Sequence, residues 1–193
     1  MRLVFLGAPG SGKGTQAAVI AETFGIPAIS TGDVFRSHIK NGTELGTQVK
    51  AVIDAGDLVS DDLTFALLRD RLNEGDTGQG FLLDGFPRNL AQVGLLDEFL
   101  DPRDEGITAV IELDVPREVS VARLSERARI EGRSDDTEES ISNRLAIYEH
   151  ETAPILEVYR SRGLVDTIDG VAELTVVSDT ILAKLAKRGI VRA

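Results

Sequence analysis

The chain has 193 residues, of which 42% are hydrophobic and 27% charged, and this composition predicts one soluble globular domain with a substantial core. It contains no cysteine, which excludes disulfides, thiolate chemistry and a cysteine zinc site, and its formal net charge of −11 argues against nucleic acid as a partner. No secretion signal opens the chain and no apolar run reaches membrane-spanning length, so we expect a cytoplasmic protein with no membrane partner.

The stretch GAPGSGKGT at residues 7–15 follows the apolar run RLVFL and precedes a helical pattern that ends near Gly25. Strand, glycine-rich loop and helix in this order are typical of a phosphate-binding loop. The glycines let the backbone wrap closely around an anion, and Lys13 adds a positive charge for the outer phosphates. Gly14 stands where the general motif has serine or threonine, and this departure weakens the case for direct Mg²⁺ ligation by the hydroxyl of Thr15.

Five short apolar runs predict the strands of a sheet. They lie at residues 2–6, 27–30, 81–84, 108–113 and 164–168. Helical patterns separate them, and this alternation predicts an α/β fold with a parallel central sheet and helices on both faces. Ser30, Thr31 or Asp33 could cap the helix that follows the second run. Residues 40–59 are polar and contain several glycines, so this long excursion suits a small inserted lobe.

The stretch FLLDGFPR at residues 81–88 places Asp84 at the expected carboxyl end of a strand, where parallel sheets bind ligands. An aspartate before glycine is by itself more typical of a turn. Beside a phosphate-binding loop, however, a carboxylate suits Mg²⁺ or its bound waters. If residues 89–100 form a helix, Gln92 lies near the same face as Arg88.

Several arginines flank a polar segment in the second half of the chain. Arg123 and Arg127 are one helical turn apart, and residues 129–139 contain a single apolar side chain, so we expect a mobile surface loop there. We interpret Asp136 and Glu139 as a capping pair for the helix that follows. One such arginine would be typical of a solvated surface, but several beside a phosphate-binding loop favour a lid that grips phosphate.

Together these motifs resemble the adenylate kinases of the short-lid form, and the resemblance runs nearly end to end. It is carried by GAPGSGKGTQ at 7–16, STGDVFR at 30–36, DAGDLV at 54–59, GFPRNLAQ at 85–92, the arginines from 123 to 144 and ETAP at 151–154. The resemblance implies a P-loop three-layer sandwich whose core comprises 1–29, 60–125 and 137–193, with a monophosphate-binding insertion at 30–59 and a lid at 126–136. It implies reversible transfer of the γ-phosphate of ATP to AMP, which gives two ADP, with Mg²⁺ accompanying ATP.

The resemblance also assigns residues to two nucleotide sites. The ATP site would comprise Gly10, Ser11, Gly12, Lys13, Gly14, Thr15, Arg127 and the backbone near Ala172. The AMP site would comprise Thr31, Arg36, Asp57, Leu58, Val59, Gly85, Phe86, Pro87, Arg88, Gln92, Arg133 and Arg144. Catalysis would depend on Lys13, Arg88, Arg127, Arg133 and Arg144, with Asp84 reaching Mg²⁺ through water. No catalytic base is assigned, because the attacking phosphate is already deprotonated. The lid lacks the length and the cysteines of the zinc-type form, so no structural zinc is expected.

Two other functions remain open at this point. A UMP/CMP-type nucleoside monophosphate kinase would share the fold, and by resemblance Thr31 and Gln92 favour adenine over a pyrimidine. A P-loop regulatory ATPase would need one nucleotide site and a residue that orients water. The second set of arginines argues instead for two nucleotides. We expect ATP, AMP and ADP as the binding partners, and a monomer, since no large apolar stripe stands out in the sequence.

Overall fold

The computed structural model describes residues 1–103 and 105–191, so residue 104 of the predicted core and its last two residues, 192 and 193, lie outside the described residues. The strands in this part of the chain are β1 (Arg2–Gly7), β2 (Ala28–Ser30), β3 (Phe81–Asp84), β4 (Ala109–Asp114) and β5 (Val165–Asp169). They form one parallel sheet in the order β2-β3-β1-β4-β5. The predicted strands and the predicted α/β class with a parallel sheet are therefore confirmed.

Helices connect the strands and cover the sheet. They are α1 (Lys13–Phe24), α2 (Thr31–Lys40), α3 (Glu44–Ala55), α4 (Asp61–Leu72), α5 (Leu90–Leu100), α6 (Arg117–Glu131), α7 (Glu138–Ile147), α8 (Ile155–Ser161) and α9 (Leu174–Lys187). Short helical turns occur at Asp101–Arg103, Ser134–Asp136 and Tyr148–Thr152. Where a strand is followed by a helix that leads to the next parallel strand, the connection runs across one face of the sheet, as parallel pairing requires.

The two faces of the sheet are covered by different helices, because successive strand residues point to opposite sides. Val4 and Leu6 of β1 pack in one core cluster with residues of α4, α5 and α8. Leu3 and Phe5 pack in a second cluster with residues of α1 and α9. All four side chains are buried, so β1 reads as a continuous apolar run and lies at the centre of three layers.

The carboxyl ends of three neighbouring strands lie side by side and set the position of the site. Asp84 of β3 pairs in register with Phe5 of β1 on one side and with Ser30 of β2 on the other. Strand β1 then continues into the glycine-rich loop, and β2 continues directly into α2. Topology therefore brings the phosphate-loop motif, Asp84 and the start of α2 to one edge of the sheet.

Helices α2 and α3 form a hairpin between β2 and α4. Ser30 caps α2, because its Oγ accepts from the backbone N–H of Asp33 at 3.2 Å, and it is one of the three candidates that the sequence offered. Thr43 caps α3 by accepting from the N–H of Gly46 at 3.1 Å. Gly46 lets the two helices approach closely, since a Cβ at this position would stand 2.2 Å from the carbonyl oxygen of His38.

This close approach predicts opposite effects of alanine at two helical glycines. In α3, Gly46→Ala is expected to force the hairpin apart and to lower the free energy of unfolding by about 1–3 kcal/mol. In α5, a Cβ at Gly94 would meet nothing within 4 Å. Gly94→Ala is therefore expected to raise the free energy of unfolding by about 0.5–1 kcal/mol, because alanine is the better helix former. Urea unfolding of both variants checks this, and equal effects would contradict the packing argument.

The segment between α6 and α7 differs from the prediction in two respects. Thr137, and not Asp136, caps α7, since its Oγ1 accepts from the N–H of Ser140 at 3.2 Å, so the predicted capping pair of Asp136 and Glu139 is wrong. The expected surface loop at residues 129–139 is shorter than predicted, since α6 continues to Glu131 and α7 begins at Glu138, and within it Asp135 and Asp136 are buried. Both are buried because arginines bind their carboxylates: Arg127 bonds both oxygens of Asp136 and Arg133 bonds both oxygens of Asp135, and such bidentate pairs combine strength with a fixed geometry.

Candidate active site

At Gly10 and Gly12 the glycine-rich loop adopts a backbone conformation that other residues rarely adopt. Gly10 has φ +81° and Gly12 has φ +94°, both in the left-handed region. A Cβ at Gly10 would also stand 2.7 Å from the carbonyl oxygen of Ser120, so the loop packs directly on α6. Gly12 is the residue before α1, which leaves the first amides of that helix free to face an anion.

Lys13 bends back over the loop that precedes it. Its Nζ donates to the carbonyl oxygens of Gly7 at 2.8 Å and Ala8 at 2.9 Å. Burial lowers the pKa of Lys13 to about 8, and the charges of Arg88, Arg144 and Arg127 act in the same direction, while Asp84 opposes them. The fold thus holds this ammonium where its charge is poorly compensated, as suits a group that awaits an anion.

A cavity of about 320 Å³ opens over the loop, and its charged lining is mainly positive. The lining cations are Lys13, Arg36, Arg88, Arg127, Arg133 and Arg144, and the lining acids are Asp33, Asp84 and Glu131. Gly10, Gly12, Gly14, Thr15, Gly85 and Pro87 also line it. A chain of net charge −11 therefore presents a locally cationic cavity at the edge of its sheet.

A second, smaller cavity of about 60 Å³ lies between α2, α3 and the segment after β3. The sequence-predicted residues in its wall are Thr31, Arg36, Asp57, Leu58, Val59, Gly85, Arg88, Gln92 and Arg144. Phe86 is fully buried and stacks on Phe65, so its side chain belongs to the core and only its backbone can serve a site. Thr31 Oγ1 and Arg88 Nε both donate to the carbonyl oxygen of Gly85, at 3.0 and 2.8 Å.

Three arginines of the second half of the chain converge on the adjacent carboxylates of Asp135 and Asp136. Arg127 donates to both oxygens of Asp136, at 2.7 and 2.8 Å, and Arg144 donates to Asp136 Oδ1 at 2.7 Å. Arg133 donates to both oxygens of Asp135, at 3.1 and 2.8 Å. We call these five residues the arginine–aspartate cluster. The bonds to the two carboxylates hold the three guanidinium groups at the wall of the larger cavity.

The charges of this cluster are strongly coupled. Burial opposes ionisation of Asp135, but Arg133, Arg144 and Arg36 outweigh it and lower its pKa to about 2. Burial lowers the pKa of Arg144 to about 10, against the pull of both carboxylates. Sequence reasoning missed Asp135 and Asp136 as site residues. Two adjacent acids between several arginines were the available signal, and they were interpreted as a polar loop with a helix cap.

Ala172 lies apart from both cavity walls. It packs as a partly buried residue against the cluster formed by α1 and α9. Its neighbour Gly170 lies beside the glycine-rich loop, since a Cβ there would stand 3.4 Å from the carbonyl oxygen of Ser11. Arg123 reaches the same carbonyl with Nη1 at 3.5 Å. The structure therefore places the segment around Ala172 and the side chain of Arg123 on the outer side of the loop.

Comparison with known proteins gives consistent matches over nearly the whole chain. The family model described as adenylate kinase matches residues 5–164. An adenylate kinase of Leifsonia xyli subsp. xyli is 54% identical over 188 residues, which cover 97% of this chain and 94% of the relative. An adenylate kinase of Thermobifida fusca is 50% identical over 188 residues, covering 97% and 100%, and one of Clavibacter michiganensis is 51% identical over 189 residues, covering 98% and 94%.

Proposed function

The chain belongs to the adenylate kinase family, and we propose that its two cavities receive ATP and AMP with their phosphates meeting at a shared wall of arginines. As a member of that family it is an ATP:AMP phosphotransferase that binds ATP, AMP and ADP. The observation that carries the proposal is that Arg36, Arg88 and Arg144 line both cavities. A single-nucleotide ATPase would have no use for a second cavity behind the same cations.

In this proposal the larger cavity takes ATP. The amides of residues 10–15 surround its phosphates, Lys13 turns from the carbonyls of Gly7 and Ala8 to the outer phosphates, and Arg127 contributes from α6. Guanidinium has five N–H donors, and Arg127 spends two of them on Asp136, so others are available for phosphate. By resemblance alone, the backbone near Ala172, which lies outside the cavity wall, would flank the adenine of ATP.

The smaller cavity, together with the adjoining part of the larger one, takes AMP. Thr31, residues 57–59 and Gln92 surround its base, and the segment from Gly85 to Arg88 passes alongside it. Arg36 and Arg88 hold its phosphate at the point where the cavities join. Arg133 and Arg144 then approach the transferring phosphoryl group from the segment we propose as the lid, residues 126–136, and from α7.

The residues fit phosphoryl transfer because that reaction needs positioning and charge neutralisation more than covalent chemistry. An ionised phosphate oxygen of AMP forms a bond to the γ-phosphorus of ATP while the bond from that phosphorus to the bridging oxygen of ADP breaks. Both products are ADP, and no proton has to be abstracted. The proposed lid contacts the proposed insertion, residues 30–59, since Ser134 Oγ donates to Asp54 Oδ1 at 2.6 Å. Helix α7 contacts the insertion as well, since Asn143 Nδ2 donates to Asp57 Oδ1 at 2.6 Å. Such contacts exclude water, the competing acceptor.

The site suits a divalent metal that arrives with the nucleotide. Asp84 lies close to the start of α1, because a Cβ at Gly14 would stand 3.6 Å from Asp84 Oδ2. Among the described residues no group of three His, Cys, Asp or Glu side chains could hold a metal. One carboxylate fits Mg²⁺, which keeps several waters and takes further ligands from substrate phosphates. When bound, Mg²⁺ would neutralise charge on the ATP phosphates, with Asp84 holding it through water.

The oligomeric state and the cellular location of the protein are also open to proposal. None of the helices in the described part of the chain combines the length and the apolar character needed to cross a bilayer. We propose a monomer in the cytoplasm, the two cavities being lined by residues of this one chain.

Phosphorylation assays with a panel of acceptors test the function. Purified protein is given Mg·ATP and, in separate reactions, AMP, CMP, UMP, GMP or dTMP. We expect rapid ADP formation with AMP and with none of the other acceptors. We expect no ADP formation when Mg²⁺ is left out. Activity with CMP or UMP instead would keep the mechanism and overturn the assignment of Thr31 and Gln92 to adenine. ATP consumption with no acceptor present would favour the regulatory ATPase.

The lowered pKa of Lys13 predicts how ATP binding depends on pH. A phosphate beside the ammonium favours its charged form, so binding raises the pKa of Lys13 above the value of about 8 in the free protein. Above that value the free protein must take up a proton to bind. We expect the apparent Kd for ATP to increase about tenfold between pH 7 and pH 9, the range in which the free Lys13 loses its proton.

Calorimetric titration at a series of pH values measures this dependence, and buffers of different ionisation enthalpy report the proton uptake. The variant Lys13→Met is the control, because it fills the same space without a titratable group. A flat profile in the wild-type protein, or the same rise in the Met variant, would contradict the assignment of the proton to Lys13.

A further inference from the structure

Two hydrogen bonds hold the side-chain amide of Gln92 inside the protein, and the amide accepts one and donates the other. It lies in the first turn of α5, is 1% exposed and lines the smaller cavity. Its Oε1 accepts from the backbone N–H of Arg88 at 2.7 Å. Its Nε2 donates to Oδ1 of Asp61 at 2.7 Å. Asp61 is the first residue of α4, so a helix distant in sequence fixes this side chain.

Asp61 can only accept a hydrogen bond from Gln92, so the amide of Gln92 cannot be turned around. The same Oδ1 of Asp61 accepts from Asn89 Nδ2 at 2.9 Å. The amide of Asn89 is itself oriented, because its Oδ1 accepts from the backbone N–H of Gln92 at 2.9 Å and so caps α5. An ionised carboxylate only accepts hydrogen bonds. A rotated Gln92 amide would set oxygen against this carboxylate and set its NH₂ group against the N–H of Arg88.

The bonds that Gln92 makes within the protein leave part of its hydrogen-bonding capacity unused. A carboxamide has two lone pairs on oxygen and two N–H donors, and one of each is used by Arg88 and Asp61. One acceptor, on Oε1, and one donor, on Nε2, are left for a base in the cavity. Adenine presents the complementary pair on its Watson–Crick edge, an amino donor at C6 and an acceptor at N1. A 6-oxopurine presents the reverse, an acceptor at C6 and a donor at N1.

We propose that Asp61 is a positioning residue that fixes the amide orientation of Gln92 and thereby makes the acceptor site selective for adenine over 6-oxopurines. The inference rests on the proposed function, since it deepens the assignment of the smaller cavity to AMP. Without the carboxylate, only the N–H of Arg88 would orient the amide. The freed amide would bind adenine less well and oppose a 6-oxopurine less strongly.

Kinetics of Asp61→Ala with AMP and with IMP as acceptors test the proposal. We expect the KM for AMP to rise about tenfold, as for an interaction worth about 1.4 kcal/mol, while kcat and the KM for ATP stay within about twofold of wild type. The ratio of kcat/KM for AMP to that for IMP should fall by about the same tenfold factor or more. Asp62→Ala is the matched control, because Asp62 is exposed in the same first turn of α4, and its values should remain those of wild type.

A double-mutant cycle with Gln92→Ala separates positioning from a merely structural role. If Asp61 acts through Gln92, the double variant should have the AMP KM and the selectivity of Gln92→Ala alone. Independent, multiplying effects would overturn the proposal, as would a wild-type AMP KM in Asp61→Ala. If Gln92→Ala itself left AMP binding and selectivity unchanged, the assignment of the AMP site would fail instead.

A conservative variant keeps the test decisive if Asp61→Ala unfolds in a thermal melt. Asp61→Asn retains an accepting oxygen but loses the charge, so we expect a smaller rise of about threefold in the AMP KM, again absent in the Gln92→Ala background. The wild-type KM and selectivity in Asp61→Asn, together with an unfolded alanine variant, would assign Asp61 to stability alone and overturn the proposal.

Discussion

Replacement of Lys13 with alanine is expected to lower kcat by about three orders of magnitude, the upper range for removing one preorganised donor from a developing negative charge. The ammonium lies at the end of the glycine-rich loop, in the wall of the larger cavity that Arg88, Arg127 and Arg144 also line. Because the interaction with the transferring phosphate strengthens in the transition state, kcat should fall more than KM rises. Initial rates at saturating ATP and AMP measure the effect.

The fold should not suffer from the same substitution. Burial lowers the pKa of Lys13, which means that the folded state disfavours its charge relative to the unfolded chain. Its bonds are made to the carbonyls of Gly7 and Ala8, and since Gly7 and Lys13 both line the larger cavity, water can replace the ammonium there. We therefore expect the Tm of Lys13→Ala to be equal to or above that of wild type. Lys187→Ala, at an exposed position late in α9, is the control for loss of a lysine. A Tm loss that matched the loss of activity would count against a catalytic role.

Much of the fold could be predicted from local sequence, and so could one part of the candidate site, namely the glycine-rich loop and Asp84. The glycine-rich loop, the run that ends at Asp84 and the alternation of strands with helices each depend on residues close together in the chain, and a parallel sheet then brings the strand ends to one edge. The sequence narrowed the cap of α2 to Ser30, Thr31 or Asp33, because capping is a contact over three residues, and Ser30 forms it.

Most of the contacts that sequence reasoning missed join different secondary-structure elements. Asp61 meets Gln92 only because α4 and α5 start side by side, and nothing in the stretch around Asp61 refers to Gln92. Asp136 stands eight to nine residues from Arg127 and Arg144, and the packing of α6 against α7 decides that they meet. A pattern of acids among arginines is the same in a solvated loop and in a buried cluster, so composition alone could not distinguish them.

We expect the arginine–aspartate cluster to contribute both to the stability of the fold and to the rate of phosphoryl transfer, whereas Lys13 contributes only to the rate. The side chain of Asp136 is 0% exposed and binds Arg127 through two bonds and Arg144 through one. Removing one partner of a buried ion pair leaves the other charges uncompensated. The same carboxylate fixes the direction in which two proposed phosphate-binding guanidinium groups point. A substitution at Asp136 should therefore reduce both the stability of the fold and the rate of transfer.

For Asp136→Asn we expect kcat to fall about a hundredfold, because two guanidinium groups lose their orientation, and the free energy of unfolding to fall by about 3 kcal/mol. Steady-state kinetics at saturating substrates and urea unfolding measure the two effects. Glu138→Gln is the control, since Glu138 is an exposed acid in the first turn of α7 and loses the same charge. If Asp136→Asn lost stability with unchanged kcat, the carboxylate would serve the fold only. If kcat fell with unchanged stability, Arg127 and Arg144 would not depend on Asp136 for their place in the folded protein, and the cluster would be an active-site device alone.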